Sequence, residues 1–269
     1  MSAPSLLIAG AGDLGARLAQ RRAQAGDEVI ALRRRDRDVP GARLLRADLG
    51  SGEGLGRLPR EVQALVVCVA PDQRDEAAYR RLYRDGLRRL LDAMHVGRLL
   101  FVSSTAVYGQ DAGEWVTETS ITEPPAFNGR VLLEAEAELR AHPQAAALRL
   151  SGIYGPGREA LLRKAREGQA NARRWTNRIH VDDAAAALSH LLELPALQNV
   201  YLGNDDGPAL ECEVQDWIRG EEGLPPVAAS DGPASGRRVA NTRLRGSGWV
   251  PAHPDFRSGY SPLIVVPGL

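Results

Sequence analysis

The segment Ile8-Ala-Gly10-Ala-Gly12-Asp13-Leu14-Gly15-Ala-Arg-Leu18 constrains the fold of this chain more than any other. An apolar run, Ser5 to Ala9, precedes it, and a helical pattern from Leu14 to Ala25 follows and stops at Gly26. Gly10 permits a tight turn off the strand, Gly12 lets backbone approach a pyrophosphate, and Gly15 lets helix and strand pack closely. The N–H groups at the helix start, around Gly12, Asp13, Leu14 and Gly15, then favour a phosphate's negative charge together with the helix dipole. A purely structural glycine turn would carry the same residues. The strand before, the helix after and a second strand at Glu28 to Leu32 favour the phosphate-binding reading.

The alternation continues. Arg43 to Ala47 reads as a third strand and Ala64 to Ala70, closed by Pro71, as a fourth. Asp75 to Met94 reads as one long helix, with Ala78, Leu82, Leu87, Leu90 and Leu91 on its apolar face. Leu99 to Val102 is a fifth strand, Arg130 to Ala141 a helix, and Ala146 to Leu150 a sixth strand. Strands separated by helices, joined by right-handed crossovers, give an α/β fold. The expectation is a Rossmann-like doubly wound parallel sheet over residues 1–155, with a small C-terminal α/β lobe over residues 156–269 that interleaves with the core. After Leu150 the pattern becomes turn-rich, with helices expected at Arg158–Glu167, Val181–Leu194 and Cys212–Gly220 and a Pro/Gly-rich tail from Pro251 to Leu269.

Composition excludes several classes. Lys and Arg together number 34 and Asp and Glu 34, so no net field draws the chain to nucleic acid or an anionic membrane. The two cysteines, Cys68 and Cys212, suggest neither a disulfide framework nor a metal site, and Cys68 reads as a small core residue. No apolar stretch approaches the roughly 20 residues needed to span a bilayer. With no basic leader at Met1–Ser5, a cytoplasmic location is expected.

The end of the second strand selects the cofactor. NAD-preferring proteins place Asp or Glu there for the ribose 2′-hydroxyl, whereas this chain reads Leu32-Arg33-Arg34-Arg35-Asp36. A guanidinium pairs with a 2′-phosphate that a carboxylate would repel, so Arg33 and Arg34 favour NADP over NAD. A solvated basic turn is the alternative.

Phe101-Val-Ser103-Ser104-Thr-Ala-Val-Tyr108-Gly109 resembles the fifth strand and active-site loop of the extended short-chain dehydrogenase/reductases, the NAD-dependent epimerase/dehydratase type. Leu148 to Arg158 is similar to their sixth-strand loop, Arg178-Ile-His-Val-Asp-Asp-Ala184 to a later segment, and Gly236 to Asn241 to that of an atypical bacterial subgroup. The resemblance implies that Asp48 contacts the adenine and that Val69, Ala70, Ser103, Ser151 and Ile153 border the cofactor. It also implies that Ser104 hydrogen-bonds the reacting hydroxyl or carbonyl. In that family a Tyr-x-x-x-Lys pair supplies the acid/base, about 20 residues after Tyr108. Here the aligned residues are Asn128 and Leu132.

Misalignment does not restore the pair. The residues four after Tyr79, Tyr83, Tyr108, Tyr154, Tyr201 and Tyr260 include no lysine, and Lys164 is the chain's single one. Tyr154-x-x-x-Arg158 is the nearest imitation, and an arginine with a pKa above about 12 is a poor substitute for a tunable lysine. Tyr108 remains a candidate acid/base or a packing residue, His180 a titratable group or part of a structural turn, and Arg158 a substrate anion site or an exposed loop arginine. Two functions follow. One is an NADP-dependent oxidoreductase or epimerase-like enzyme with a rearranged proton relay. The other is a non-catalytic NADP-binding sensor or scaffold. The short lobe favours a small substrate, no metal is called for, and the helices over 75–94 and 130–141 match ones that often form a homodimer interface in related proteins; covering the chain's own sheet is the alternative use of their apolar face.

Overall fold

The computed structural model describes residues 6–169 and 172–264. The buried strand β1 (Leu6–Ala9) turns into α1 (Asp13–Gln24), followed by β2 (Val29–Arg33), β3 (Ala42–Arg46) and β4 (Glu61–Val67). A helical stretch comes next: α2 (Glu76–Tyr79), a π-helical segment (Arg80–Asp85) and α3 (Gly86–Ala93). β5 (His95–Ser104) ends on a 3₁₀ turn over Thr105–Val107, ahead of β6 (Ala112–Val116), α4 (Phe127–Glu138) and β7 (Ala145–Leu150). The chain continues through β8 (Gly152–Tyr154), α5 (Ala160–Arg166), β9 (Arg174–Thr176), β10 (Arg178–His180) and α6 (Val181–Glu193). It closes with β11 (Val200–Gly203), β12 (Ala209–Leu210), α7 (Glu211–Glu221), β13 (Ser235–Val239), α8 (Thr242–Gly246) and α9 (Phe256–Tyr260).

One sheet has seven strands in the order β11-β7-β5-β4-β1-β2-β3, flanked by helices, which is the doubly wound Rossmann-like arrangement. β1 pairs in parallel with β2 on one side and β4 on the other. The strand order therefore reverses between β1 and β4, and the loops leaving those two strands form the switch point where such sheets take ligands.

The chain forms two compact units. The first comprises residues 1–109, 121–149 and 185–201. Its core is filled by fully buried Leu7, Ile8, Ile30, Leu65, Leu99 and Phe101, each worth about 1.5–3 kcal/mol of burial. The second unit comprises residues 110–120, 150–184 and 202–269. It holds a four-stranded sheet, β12-β9-β13-β6, a parallel pair, β8 with β10, and a core of Tyr154, Leu162, Val214, Ile218, Phe256 and Tyr260. On its sheet the Arg238 guanidinium lies between the Trp115 and Trp175 rings, at 5.1 and 4.9 Å from their centroids.

Three sequence expectations change. The strand expected over Ala64 to Ala70 begins at Glu61 and stops at Val67, because β1, its neighbour, turns away at Gly10 and its pairing with β4 ends at Ala9 opposite Val67. The long helix from Asp75 is interrupted by the π-helical Arg80–Asp85, where the Tyr83 hydroxyl donates to the Val69 carbonyl at 3.1 Å. β5 runs from His95 to Ser104 rather than over four residues. Ser5, Ala170, Asn171 and residues 265–269, parts of the expected first strand and tail among them, lie outside the described residues.

Candidate cofactor and active site

The glycine turn is built by close approach. Gly10 has φ +95°, and a Cβ there would meet the Cys68 carbonyl oxygen at 2.7 Å. A Cβ on Gly15 would lie 2.5 Å from the Gly10 carbonyl oxygen and 3.0 Å from the Cys68 sulfur. The Cys68 thiol donates to that same carbonyl at 3.2 Å, and burial pushes its pKa up to about 12, which favours the neutral, packing thiol over a thiolate. Gly12 differs: a Cβ there would find nothing within 4 Å. No side chain caps α1 at this end, so the backbone N–H groups of its first turn, at Asp13 and Leu14, are available to an anion. Gly10 and Gly15 therefore serve packing, while Gly12 borders open space at a helix N-terminus. A dinucleotide's pyrophosphate fits that donor set.

Arg34 and Asp48 stand at the junction of two cavities. One, of about 400 Å³, is also bordered by Ser51, Ala70, Pro71 and Asp72. The other, of about 340 Å³, is bordered by Arg34, Arg46, Ala47, Asp48, Glu53 and Arg57. Asp48 accepts the Gly50 N–H at 2.7 Å through one oxygen, which fixes the carboxylate at the cavity edge. Arg34 makes a two-pronged pair with Asp72, one contact being 2.7 Å, and this raises the Arg34 pKa and lowers that of Asp72. Arg33 is placed differently. It donates to the Arg37 carbonyl at 3.1 Å and lines neither cavity. Val69 lies beside the switch point, its γ-carbon 2.8 Å from where a Gly10 Cβ would be. Asp72, Arg46 and Arg57 carry no sequence motif and were not legible as site residues.

The catalytic candidates gather around the 3₁₀ turn. The Ser104 Oγ accepts the Ala106 N–H at 3.1 Å, capping that turn. A Cβ on Gly129 would meet the Ala106 carbonyl oxygen at 2.4 Å, so α4 begins directly against the turn and Asn128 lies in its first turn, half-buried. Leu132, one helical turn on, is 4% exposed and packs inward. Ser103 is turned into a buried network: its hydroxyl donates to Glu136 at 2.6 Å, and Glu136 also accepts from Arg149 at 2.6 Å. Arg149 in turn donates to the Tyr108 hydroxyl at 2.7 Å, and Tyr108 is fully buried. Tyr108 thus anchors the loop to β7, and its hydroxyl faces the ion pair.

Ser151, Ile153 and Arg158 belong to the second unit. Ser151 is buried and its hydroxyl has no partner among the described residues. Ile153 sits in β8 opposite Ile179, and the Arg158 N–H closes a turn onto the Gly155 carbonyl at 2.9 Å. Tyr154 does not pair with Arg158. Its ring packs on Tyr260 at 4.5 Å, and burial holds its hydroxyl far above the usual tyrosine range. Lys164 pairs with Glu211. His180, Asp183 and His253 form the cluster of possible metal ligands among the described residues. Asp183 nonetheless spends its oxygens on the Ala252 and His253 backbone N–H groups and on the His253 ring, all at 2.8–2.9 Å. That arrangement staples the C-terminal segment onto α6.

A doubly wound sheet with an uncapped, glycine-opened helix at its switch point defines a dinucleotide-binding Rossmann protein. The chain belongs to the NAD-dependent epimerase/dehydratase family, whose pattern matches residues 6–201. It is 37% identical to a Methylobacillus flagellatus structure described as of the NAD-dependent epimerase/dehydratase type, with a TM-score of 0.85 over 97% of this chain and 98% of that one. A stretch of 124 residues is 35% identical to the Escherichia coli K12 protein YeeZ. The match spans 44% of this chain and 45% of YeeZ, under half of that curated relative. A short-chain dehydrogenase/reductase superfamily structure from Agrobacterium tumefaciens, with bound NAD, shares the fold at 21% identity and a TM-score of 0.79 over 92% of each chain.

Proposed function

We propose that this chain is a cytoplasmic NADP(H)-binding enzyme of the short-chain dehydrogenase/reductase type. It would be an oxidoreductase or epimerase-like enzyme on a small carbonyl, hydroxyl or sugar substrate, with a proton relay that uses no Tyr-Lys pair. The observation that carries the reading is the open space at Gly12 beside an uncapped helix, in the same half-sheet whose next strands bring Arg34 and Asp48 to one cavity edge. Asp13 and Leu14 would hold the pyrophosphate, Asp48 the adenine, and Arg34 a 2′-phosphate. The nicotinamide supplies the hydride acceptor or donor.

The chain's own residues then handle the oxygen that reacts. Ser104 accepts from Ala106, which leaves its O–H proton to be donated to a substrate carbonyl or hydroxyl. Asn128 can orient that oxygen but cannot titrate, so solvent completes the proton transfer. General acid/base help is worth about 10²–10⁴-fold, so its loss slows the reaction without forbidding it. A second reading, a non-catalytic NADP-binding sensor or scaffold, is favoured by Asn128 and Leu132 at the places of the pair. A homodimer through the helices over 76–93 and 127–138 accompanies either reading, with small molecules rather than nucleic acid or membrane as ligands.

The test mixes purified protein with NADPH and a panel of aldehydes, ketones and sugars. Cofactor oxidation that drops with Ser104→Ala supports the enzyme. Tight NADP(H) binding with no turnover on any member leaves the sensor. NAD(H) bound as tightly as NADP(H) would reject the cofactor preference.

A further inference from the structure

We infer that Arg178 and Asp205 form a buried binding site for a small monovalent anion, of the halide class, inside the second unit. The inference is independent of the cofactor reading. Arg178 is 4% exposed, and its guanidinium lies 5.5 Å over the Phe256 ring, in the core that Phe256 shares with Tyr154 and Tyr260. One of its amino groups donates to the Thr176 hydroxyl, which itself donates to the Ala209 carbonyl at 2.9 Å. The other amino group is buried and has no hydrogen-bond partner among the described residues. No acid among them pairs with this guanidinium. A buried charge without a counter-charge is costly, and a guanidinium does not shed its proton to escape that cost.

Asp205 is the acid placed to neutralise it, and it does not. Its N–H donates to the Arg178 carbonyl at 2.7 Å, so the two residues are neighbours. One carboxyl oxygen accepts the Gly207 N–H at 3.2 Å, and the other is buried without a partner among the described residues. Burial outweighs the pull of Arg178 and keeps this carboxyl neutral up to about pH 8. Asp206 and Asp255 push the same way, but their own oxygens are held by the Asn241 amide and the Ser258 N–H. Tyr260 senses both Arg178 and Asp205, and burial pushes its hydroxyl up to about 12. Tyr154 directs its hydroxyl to the Asp255 carbonyl at 3.4 Å. The guanidinium therefore stands beside neutral groups, with a free N–H of its own and a carboxyl O–H nearby. Arg178 repels a cation, and a water molecule leaves its charge uncompensated. A phosphate or sulfate dianion would overcompensate it. A halide brings one charge, demands no fixed geometry and accepts from N–H and O–H alike.

Thermal melting at neutral pH in potassium chloride, bromide and gluconate at matched ionic strength tests this. Chloride and bromide should raise the melting temperature with the logarithm of their concentration, by roughly 5–10 °C at about 100 times Kd. Gluconate, too large to enter, should not. Arg178→Met should abolish the halide effect. In wild type the effect should fade above about pH 9, where an ionised Asp205 neutralises Arg178 itself. Asp205→Asn keeps a buried donor and should hold the effect at that pH. Bromide-soaked crystals give the second measurement, with an anomalous peak expected between Arg178 and Asp205. Equal melting in halide and gluconate, or water alone beside Arg178 in the bromide crystals, overturns the inference. So does a halide effect that survives in Arg178→Met. If that variant does not fold, the pH comparison with Asp205→Asn and the bromide peak decide.

Discussion

Gly12 and Gly15 sit three residues apart in one motif, and the structure predicts opposite consequences for adding a single methyl group to each. At Gly15 the new Cβ would lie 2.5 Å from the Gly10 carbonyl oxygen, a backbone atom that cannot swing aside. α1 must then move off β1, and overpacking of this kind costs about 1–3 kcal/mol. For a chain of this size that corresponds to a fall in melting temperature of roughly 2–12 °C. At Gly12 no atom lies within 4 Å, so the loss is limited to the preference of a helix N-cap for glycine over alanine, under about 1 kcal/mol. The methyl group there fills the space assigned to the pyrophosphate instead. Thermal melting with and without NADP⁺ separates the two. Cofactor at 100 times its Kd stabilises by about 2.7 kcal/mol, a shift that wild type and Gly15→Ala should show and Gly12→Ala should lose. A Gly12→Ala protein that melts like wild type and still gains the full NADP⁺ shift would refute the placement of the phosphate.

Two further outcomes concern charges. Asp72 holds the Arg34 fork that a 2′-phosphate would need, and the two side chains are 48% and 62% exposed, so the pair is easily displaced. Asp72→Asn should therefore tighten NADP⁺ a few-fold in titration and leave NAD⁺ unchanged; a weakened NADP⁺ affinity would show that Asp72 assists rather than competes. Asp205 is 1% exposed, and burial pushes its pKa up to about 8 from 3.8 despite the opposing influence of Arg178. A raised folded pKa means that the stability carried by the protonated carboxyl is whole below about pH 4 and is lost as pH climbs to about 8. Across that window the slope approaches about 1.4 kcal/mol per pH unit. Urea unfolding of Asp205→Asn at pH 5, 7 and 9 should show a flatter profile than wild type, and an equal fall in both would remove Asp205 as the cause.

What the sequence disclosed was what acts locally along the chain. The Gly10–Gly15 turn, α1 and β2 are neighbours in sequence, so turn, helix and strand patterns reinforce one another there. The strands β8, β9, β10 and β12 have two or three residues each, too few for an alternating pattern to register. β13 hides in Ser235-Gly-Arg-Arg-Val239, whose only apolar side chain is its last. The site was legible at Arg34 and Asp48 and not at Arg57, because only the Gly54 turn brings Arg57 to Arg46. Tyr108 could not be resolved into anchor or acid from sequence, since its partner Arg149 lies 41 positions away. Tyr154-x-x-x-Arg158 imitated a catalytic pair only in spacing: its tyrosine belongs to a core with Tyr260.

Leu132, the residue that the sequence aligns with the family's lysine, is closed to a charged side chain. Leu132 is 4% exposed and lies on the same buried face of α4 as Val131 and Ala135. An ammonium group there would be desolvated, which lowers its pKa and destabilises the fold by several kcal/mol unless an acid meets it. The nearest buried acid on that helix, Glu136, is already committed to Arg149 and Ser103. Restoring the pair as Asn128→Tyr with Leu132→Lys should therefore lower the melting temperature sharply, while Asn128→Tyr alone, at a half-buried first-turn position, should melt close to wild type. Neither should gain turnover at neutral pH. If the double variant were both stable and more active than wild type, α4 would accommodate a lysine at position 132 after all, and the proposed relay through Ser104 and solvent would be unnecessary.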